Sequence, residues 1–527
     1  MNSRKRSSGV LMHISSLPSK FGIGTFGESA YRFVELLKEA GQTWWQILPL
    51  CPTSVGDSPY QSFGSFAGNP YFIDFELLEE EGWIDSSDFG DVFFGSHPDK
   101  VDYEAVYLSR NRVFLRLYEN FLKKPPEDFD SFCEKNAFWL DDYALFMAVK
   151  ETCGGTPFNF WDEDIRKREP KAISMWRVKC SEKIRYHKML QYFFFKQWKK
   201  LKVYANEAGV KIIGDLPIYV SADSADVWRE PEQFSLKDDL TPKEVAGCPP
   251  DAFSENGQLW GNPVYNWSYM KKKGYDWWIK RLKHNLKLFD AVRIDHFRGF
   301  DSYYCIPAES ENAKKGVWRK GPGYAFIKAV KKAIPSADII AEDLGFLTDS
   351  VKNLLKKSGL PGMKVLQFAF DSRERSNYLP HFYEHNSVVY TGTHDNDTLV
   401  GWIDSLNEDD KKFCMDYLGA LNVSEIPERM IALAEGSVSD ICILPMQDIL
   451  SLPTSARMNT PSTVGDNWKW RITDEQMTGG FQNNLGKITF IYGRENPRMK
   501  VKNRGRDVDN SVESVNNCIG EGGQLYE

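Results

Sequence analysis

The chain of 527 residues has no CxxC pair, no surplus of positive charge and no apolar run approaching the ~18 residues that cross a membrane. Its nine cysteines are odd in number and scattered from Cys51 to Cys518. That pattern argues against a disulfide framework or a zinc knuckle and for reduced thiols in a cytosol. The net charge of −7, spread over 66 basic and 73 acidic residues, lacks the basic stripe that neutralises phosphates, so no nucleic-acid partner is expected. Near the start, Arg4-Lys5-Arg6 precedes only a short apolar run, Val10 to Ile14. This falls short of the roughly 7–15 apolar residues of an export signal, and a cytoplasmic protein with no membrane partner is expected. No repeat with a period of 20–50 residues is visible.

Aromatic residues are abundant, at 14% with 16 Trp and 23 Tyr. Two readings fit: a large core, or a groove in which rings stack on the flat C–H faces of sugars. The length suits three modules, or one (β/α)8 barrel of about 250 residues enlarged by insertions.

Eight short β-rich runs decide for the barrel. They are Gly9–Ile14, Trp44–Leu48, Val210–Asp215, Phe289–Asp295, Asp338–Glu342, Met363–Phe368, Ser387–Thr391 and Ile441–Leu444. Helical patterns such as 28–40, 323–333 and 348–357 stand between several of them. Strand–helix alternation requires parallel pairing, because parallel strands need a crossover. The expected fold is an α/β TIM barrel over 1–494, with helical and loop insertions on its catalytic face. A mostly helical subdomain is expected at about 65–205 and an active-site loop insertion at about 221–277. From Glu495 to 527 hydrophobicity drops, and a disordered tail is expected.

Three acids stand where β-rich runs stop: Asp295, Glu342 and Asp395. In a parallel barrel every strand ends on the same face, so acids distant in sequence can converge there. Glycoside chemistry needs such a set: a carboxylic acid to protonate the leaving group, an attacking carboxylate and a charge stabiliser. Arg293 lies two residues before Asp295, on the same strand face, where its cation is expected to keep Asp295 ionised. Each acid taken singly also fits a helix cap or a solvated loop.

The wording of these segments carries further information. Asp290-Ala-Val-Arg-Ile-Asp295-His-Phe-Arg-Gly, Ile340-Ala-Glu342-Asp-Leu-Gly and Thr393-His394-Asp395-Asn-Asp-Thr resemble the three catalytic segments of the α-amylase clan. In this form they are similar to the amylomaltases, also called 4-α-glucanotransferases. So are Gly9-Val-Leu-Met-His-Ile-Ser-Ser-Leu-Pro-Ser, Ser58-Pro-Tyr60-Gln, Gly214-Asp215-Leu-Pro-Ile-Tyr-Val, and the stretch from Pro249-Pro-Asp251-Ala-Phe253 to Gln258-Leu-Trp260-Gly-Asn-Pro.

The resemblance implies transfer of α-1,4-glucan segments between maltooligosaccharides, with retention and without a cofactor. Asp295 would be the nucleophile, Glu342 the general acid/base and Asp395 the transition-state stabiliser. Tyr60 would stack on the sugar. Asp215, Arg293 and His394 would bind hydroxyls or orient the nucleophile. Asp251 would bind substrate, and Phe253, Gln258 and Trp260 would shape the acceptor side. Arg457-Met-Asn459 and Asn467-Trp468 fit the family, whereas Thr460-Pro-Ser-Thr and the stretch after Met477 depart from it. An α-glucan hydrolase on the same site and a glycan-binding protein with a silent site remain as rivals.

Three other signals are set aside. Gly22-Ile-Gly24-Thr-Phe-Gly27 matches a dinucleotide fingerprint, but the following β-rich run ends in Leu48-Pro49-Leu50 without the acid that binds ribose. His394-Asp395-Asn396-Asp397 offers neighbouring side chains that point to opposite faces, a poor metal site. Trp44-Trp45 and Tyr192 to Phe195 read as core more than as sugar platforms.

Overall fold

The computed structural model describes residues 5–498 except 55, 251–254 and 346. Its strands, in chain order, are β1 (Ser7–Leu11), β2 (Trp44–Gln46), β3 (Lys211–Pro217), β4 (Glu244–Cys248), β5 (Gln258–Pro263), β6 (Ala291–Asp295), β7 (Ser302–Pro307), β8 (Val317–Lys320), β9 (Ile339–Ala341), β10 (Gly362–Val365), β11 (Ser387–Tyr390) and β12 (Ile441–Pro445).

Eight of these pair in the order β10-β11-β12-β1-β2-β3-β6-β9, and every pairing is parallel. The two ends meet where Ala341 N–H donates to Pro361 O at 2.9 Å, beside β10, so the sheet closes into the (β/α)8 barrel. All eight correspond to runs read from the sequence. Their residues are almost wholly buried because helices cover the outside and side chains fill the inside, as parallel sheets require.

The long connection from β2 to β3 is mostly helical, with helices at Tyr103–Lys123, Phe129–Thr152 and Ser181–Glu207. The last of these is also a barrel crossover. Its Trp198 donates to Leu288 O, and Tyr204 meets both the ring of Tyr31 and the carboxylate of Glu35. Tyr192, Phe193 and Phe194 are buried along it, and Trp44 and Trp45 are buried in the barrel wall.

Strands β4, β5, β7 and β8 form a second, antiparallel sheet in the order β5-β4-β7-β8, which the sequence reading did not foresee. Half of it comes from the segment after β3, and half from residues that follow β6. It hangs beside the mouth of the barrel because β7 begins only seven residues after the end of β6.

At the C-terminal end, helix Phe481–Ile491 packs on helix Glu28–Glu39. The chain does not leave the body at 495 as expected. Asn496 is buried and donates to Gly209 O at 2.6 Å and Gln42 O at 3.4 Å, which anchors the start of the expected tail. The remainder, 499–527, lies outside the described residues.

Candidate active site

Asp215 and Arg293 sit side by side in register on β3 and β6, and both point into the barrel. Arg293 Nη1 stands 2.5 Å from Asp215 Oδ2, whereas its Nη2 is 4.0 Å from Asp295 Oδ1. Tyr60 O–H donates to the same Asp215 oxygen at 2.6 Å. Its ring is stacked on His394 at 5.2 Å with 13° between planes, and Trp468 lies at 5.6 Å. One buried carboxylate thus fixes an arginine below Asp295 and an aromatic ring across from it.

Glu342 directly follows β9 and is only 6% exposed. Both its oxygens are held: His296 N–H donates to Oε2 and Leu344 N–H to Oε1, each at 2.7 Å. His296 reaches it from a left-handed conformation, φ +64°, which turns the chain sharply after Asp295. Burial raises the Glu342 carboxyl, the Arg293 cation and the two N–H donors pull against it, and the outcome is a pKa of about 7.

Burial also pushes the Asp295 carboxyl well above its usual range, with Arg293 lowering it and Asp215, Glu342 and Asp395 raising it. The expectation that Arg293 keeps Asp295 ionised is therefore corrected for the unliganded site: the arginine's close partner is Asp215, and its remaining pull does not offset burial. Asp295 and Glu342 titrate as a pair that holds a proton near neutrality.

Asp395 follows β11 and is the most open of the three acids, with 45% of its side chain exposed. Asn459 Nδ2 donates to its Oδ1 at 2.6 Å, His394 Nε2 lies 3.4 Å from the same oxygen, and Arg457 holds its backbone carbonyl at 2.6 Å. His394 is buried, which lowers its pKa, so it stays neutral near pH 7. His13, also buried and pushed down to about 3, lines the same cavity as His394.

Gln258 and Trp260, expected on the acceptor side, lie on β5. Trp260 Nε1 donates to Gln258 Oε1 at 3.0 Å, and its ring stands edge-on to His296 at 5.0 Å. Gln61 ties the strand to the Tyr60 turn by donating to Trp260 O at 3.1 Å. Asp251 and Phe253 lie outside the described residues. Tyr60, Asp215, Arg293, Asp295, Glu342, His394, Asp395 and Trp260 are thus linked by contacts around one mouth. The sequence reading assigned no role to Gln61, His296 or Arg457, nor to Asn459 and Trp468. The signals that could have found the last three are Arg457-Met-Asn459 and Asn467-Trp468, already noted as fitting the family wording.

Comparison with known proteins agrees with the geometry. A profile of the glycoside hydrolase family 77, described as 4-alpha-glucanotransferase, matches residues 12–477. The chain is 47% identical over 501 residues to a 4-alpha-glucanotransferase of Streptococcus pneumoniae, covering 94% of this chain and 99% of that protein. It is 44% identical to one of Thermus thermophilus over 484 residues, covering 90% and 96% respectively. Among solved structures, the amylomaltase from Streptococcus agalactiae in complex with acarbose superposes with a TM-score of 0.91 at 45% identity, covering 93% of this chain and 100% of that one.

Proposed function

The chain belongs to the 4-alpha-glucanotransferase family, glycoside hydrolase family 77, and from that membership we propose how its own residues carry the reaction. It is a retaining transferase of α-1,4-glucan segments. Glu342, protonated, gives its proton to the glycosidic oxygen while an Asp295 oxygen attacks the anomeric carbon. The shortened glucan leaves and a glycosyl ester on Asp295 remains. The 4-hydroxyl of an acceptor glucan then loses its proton to Glu342, attacks the same carbon and frees Asp295. Asp395 lies opposite the positive charge that develops on the sugar in both steps.

Tyr60 offers its ring to a sugar face, and Asp215, Arg293 and His394 surround its hydroxyls. Gln258 and Trp260, and by resemblance Asp251 and Phe253, border the acceptor. Transfer outruns hydrolysis where the acceptor side keeps water out, and the β4–β5 segment beside His296 suits that task.

The observation that carries the reading is the environment of Glu342: a buried acid at about pH 7, next to a carboxylate at the end of the neighbouring strand. Purified protein incubated with maltotriose should release glucose and build a ladder of longer maltooligosaccharides, and an Asp295→Asn variant should do neither. Glucose and maltose with nothing longer would make it a hydrolase on the same site.

We also place the enzyme in the cytoplasm. Cys180, Cys305, Cys414 and Cys442 are buried free thiols, and no described helix is long and apolar enough to cross a membrane. Fractionation of cells would overturn this if activity followed the envelope.

A further inference from the structure

Residues 391–399 carry His394 and Asp395 from the end of β11 to the helix Leu399–Ser405. Both ends of that segment are fastened to one side chain. Thr391 O–H donates to Asp448 Oδ2 at 2.6 Å, and Leu399 N–H donates to Asp448 Oδ1 at 2.8 Å. Asp448 stands on the single turn Met446–Ile449 after β12, the strand beside β11, and is 2% exposed. Among the described residues its side chain bonds Thr391 and Leu399, and neither Asp295, Glu342 nor Asp395.

The same stretch of chain reaches further into the segment. Thr454 O–H donates to Asp397 Oδ2 at 3.1 Å, Arg457 to the Asp395 carbonyl and Asn459 to the Asp395 carboxylate. At the Asp395 carboxylate itself, the Asn459 bond is joined only by the longer contact of His394 Nε2, 3.4 Å from the same oxygen, among the described residues. The half-open side chain otherwise takes its place from the backbone, which Asp448 joins at its two ends and which Gln367 Nε2 and Asn459 N–H hold between them, donating to Asp397 O at 2.8 Å and His394 O at 3.1 Å. Little slack exists to absorb an error: a Cβ on Gly392 would meet Gln367 Nε2 at 2.8 Å.

We propose that Asp448 is a positioning residue for glycosyl transfer, setting the opening of the 391–399 segment and through it the place of Asp395 at the reacting sugar. This rests on the reading of Asp395 as the transition-state stabiliser. Displacing such a group by about 1 Å costs on the order of 10²-fold in rate. A carboxylate suits the post because it offers two acceptor oxygens to two donors. Asparagine can keep the bridge, accepting from Leu399 N–H and donating to a Thr391 hydroxyl that has turned its own hydrogen away. Alanine cannot.

The test is maltotriose kinetics on the full chain, with near-UV circular dichroism and thermal melts to establish folding. Asp448→Ala should lower kcat at least tenfold with KM within twofold of the parent, and Asp448→Asn should recover most of that loss. If Asp448→Ala does not fold, Thr391→Val reads the same bridge from its other side: kcat falls, KM holds and Thr391→Ser restores. A folded Asp448→Ala within twofold of the parent in kcat, or an Asp448→Asn as poor as the alanine variant, would overturn the proposal. A loss residing in KM alone would do the same. Asp395→Asn separates the two levels. If it is inactive while Asp448→Ala is normal, only the positioning role falls, and if it is itself fully active, both fall.

Discussion

Arg293 is bonded to Asp215 and not to the neighbouring Asp295, at 2.5 Å against 4.0 Å. The arginine is therefore a fixed part of the barrel interior, and its charge reaches Asp295 as a field. Asp215 in turn sets both Arg293 and the hydroxyl of Tyr60.

Removing Asp215 should accordingly damage more than one contact. Breaking a buried ion pair costs about 3–5 kcal/mol, and Asp215→Ala should lower both melting temperature and kcat/KM, the latter by 10²-fold or more. Tyr60→Phe keeps the ring on His394 and loses one hydrogen bond worth about 1 kcal/mol, so its kcat/KM should fall by roughly tenfold or less. Steady-state kinetics and melts of the two variants check this ordering.

The two carboxylates proposed to carry the reaction, Asp295 and Glu342, should be separable by the donor used. Glu342→Gln cannot protonate a glycosidic oxygen, but an α-glucosyl fluoride needs no such help. With that donor, Glu342→Gln should accumulate a glycosyl ester on Asp295, seen as a mass increment on its peptide. Asp295→Asn should show none. A labelled peptide elsewhere would reassign the nucleophile.

The pH profile should carry the same signature. Glu342 is raised to about 7 by burial, so its protonated, acid-competent form is present below that pH and is lost as pH climbs through it. With maltotriose, kcat/KM should therefore fall on the alkaline side near pH 7, with the inflection belonging to the Asp295–Glu342 pair. The limb should vanish for Glu342→Gln with the fluoride donor, and its survival there would assign it to another group.

Arg494 should anchor the end of the barrel. It is fully buried, donates to the carbonyls of Ser7, Glu435, Ser437 and Ser439, and lies 3.3 Å from the Glu435 carboxylate. Arg494→Ala removes those donations and the cation beside the buried Glu435, leaving Arg6 to hold the Glu435 and Ser437 carbonyls and Ser8 the Glu435 carboxylate; a loss of about 3–5 kcal/mol should lower the melting temperature by several degrees. A chain ended after Arg498 retains Arg494 and Asn496 and should melt and turn over like the full chain. One ended after Tyr492 should not fold.

All eight barrel strands were legible because each is a short β-rich run, several of them ending in acidic residues, and parallel order follows from the helices between them. The antiparallel sheet was not. Ser302–Pro307 and Val317–Lys320 carry weak alternation, β8 is exposed along its whole length and pairs only with β7, and the pairing of β7 with β4 joins residues some sixty positions apart. Asn459 and Arg457 were named only as fitting a motif, since loop side chains have no periodicity that says where they point.

The sequence by itself determined the order of the strands and which acids end them, because a closed parallel barrel has only one face on which its strand ends can meet. Tertiary structure alone decided how those acids behave. That Arg293 pairs with Asp215, that Asp448 joins Thr391 to Leu399, and that Glu342 titrates near 7 all depend on burial and on neighbours brought from distant parts of the chain. Charge energies change steeply with both, and neither can be read from local spacing.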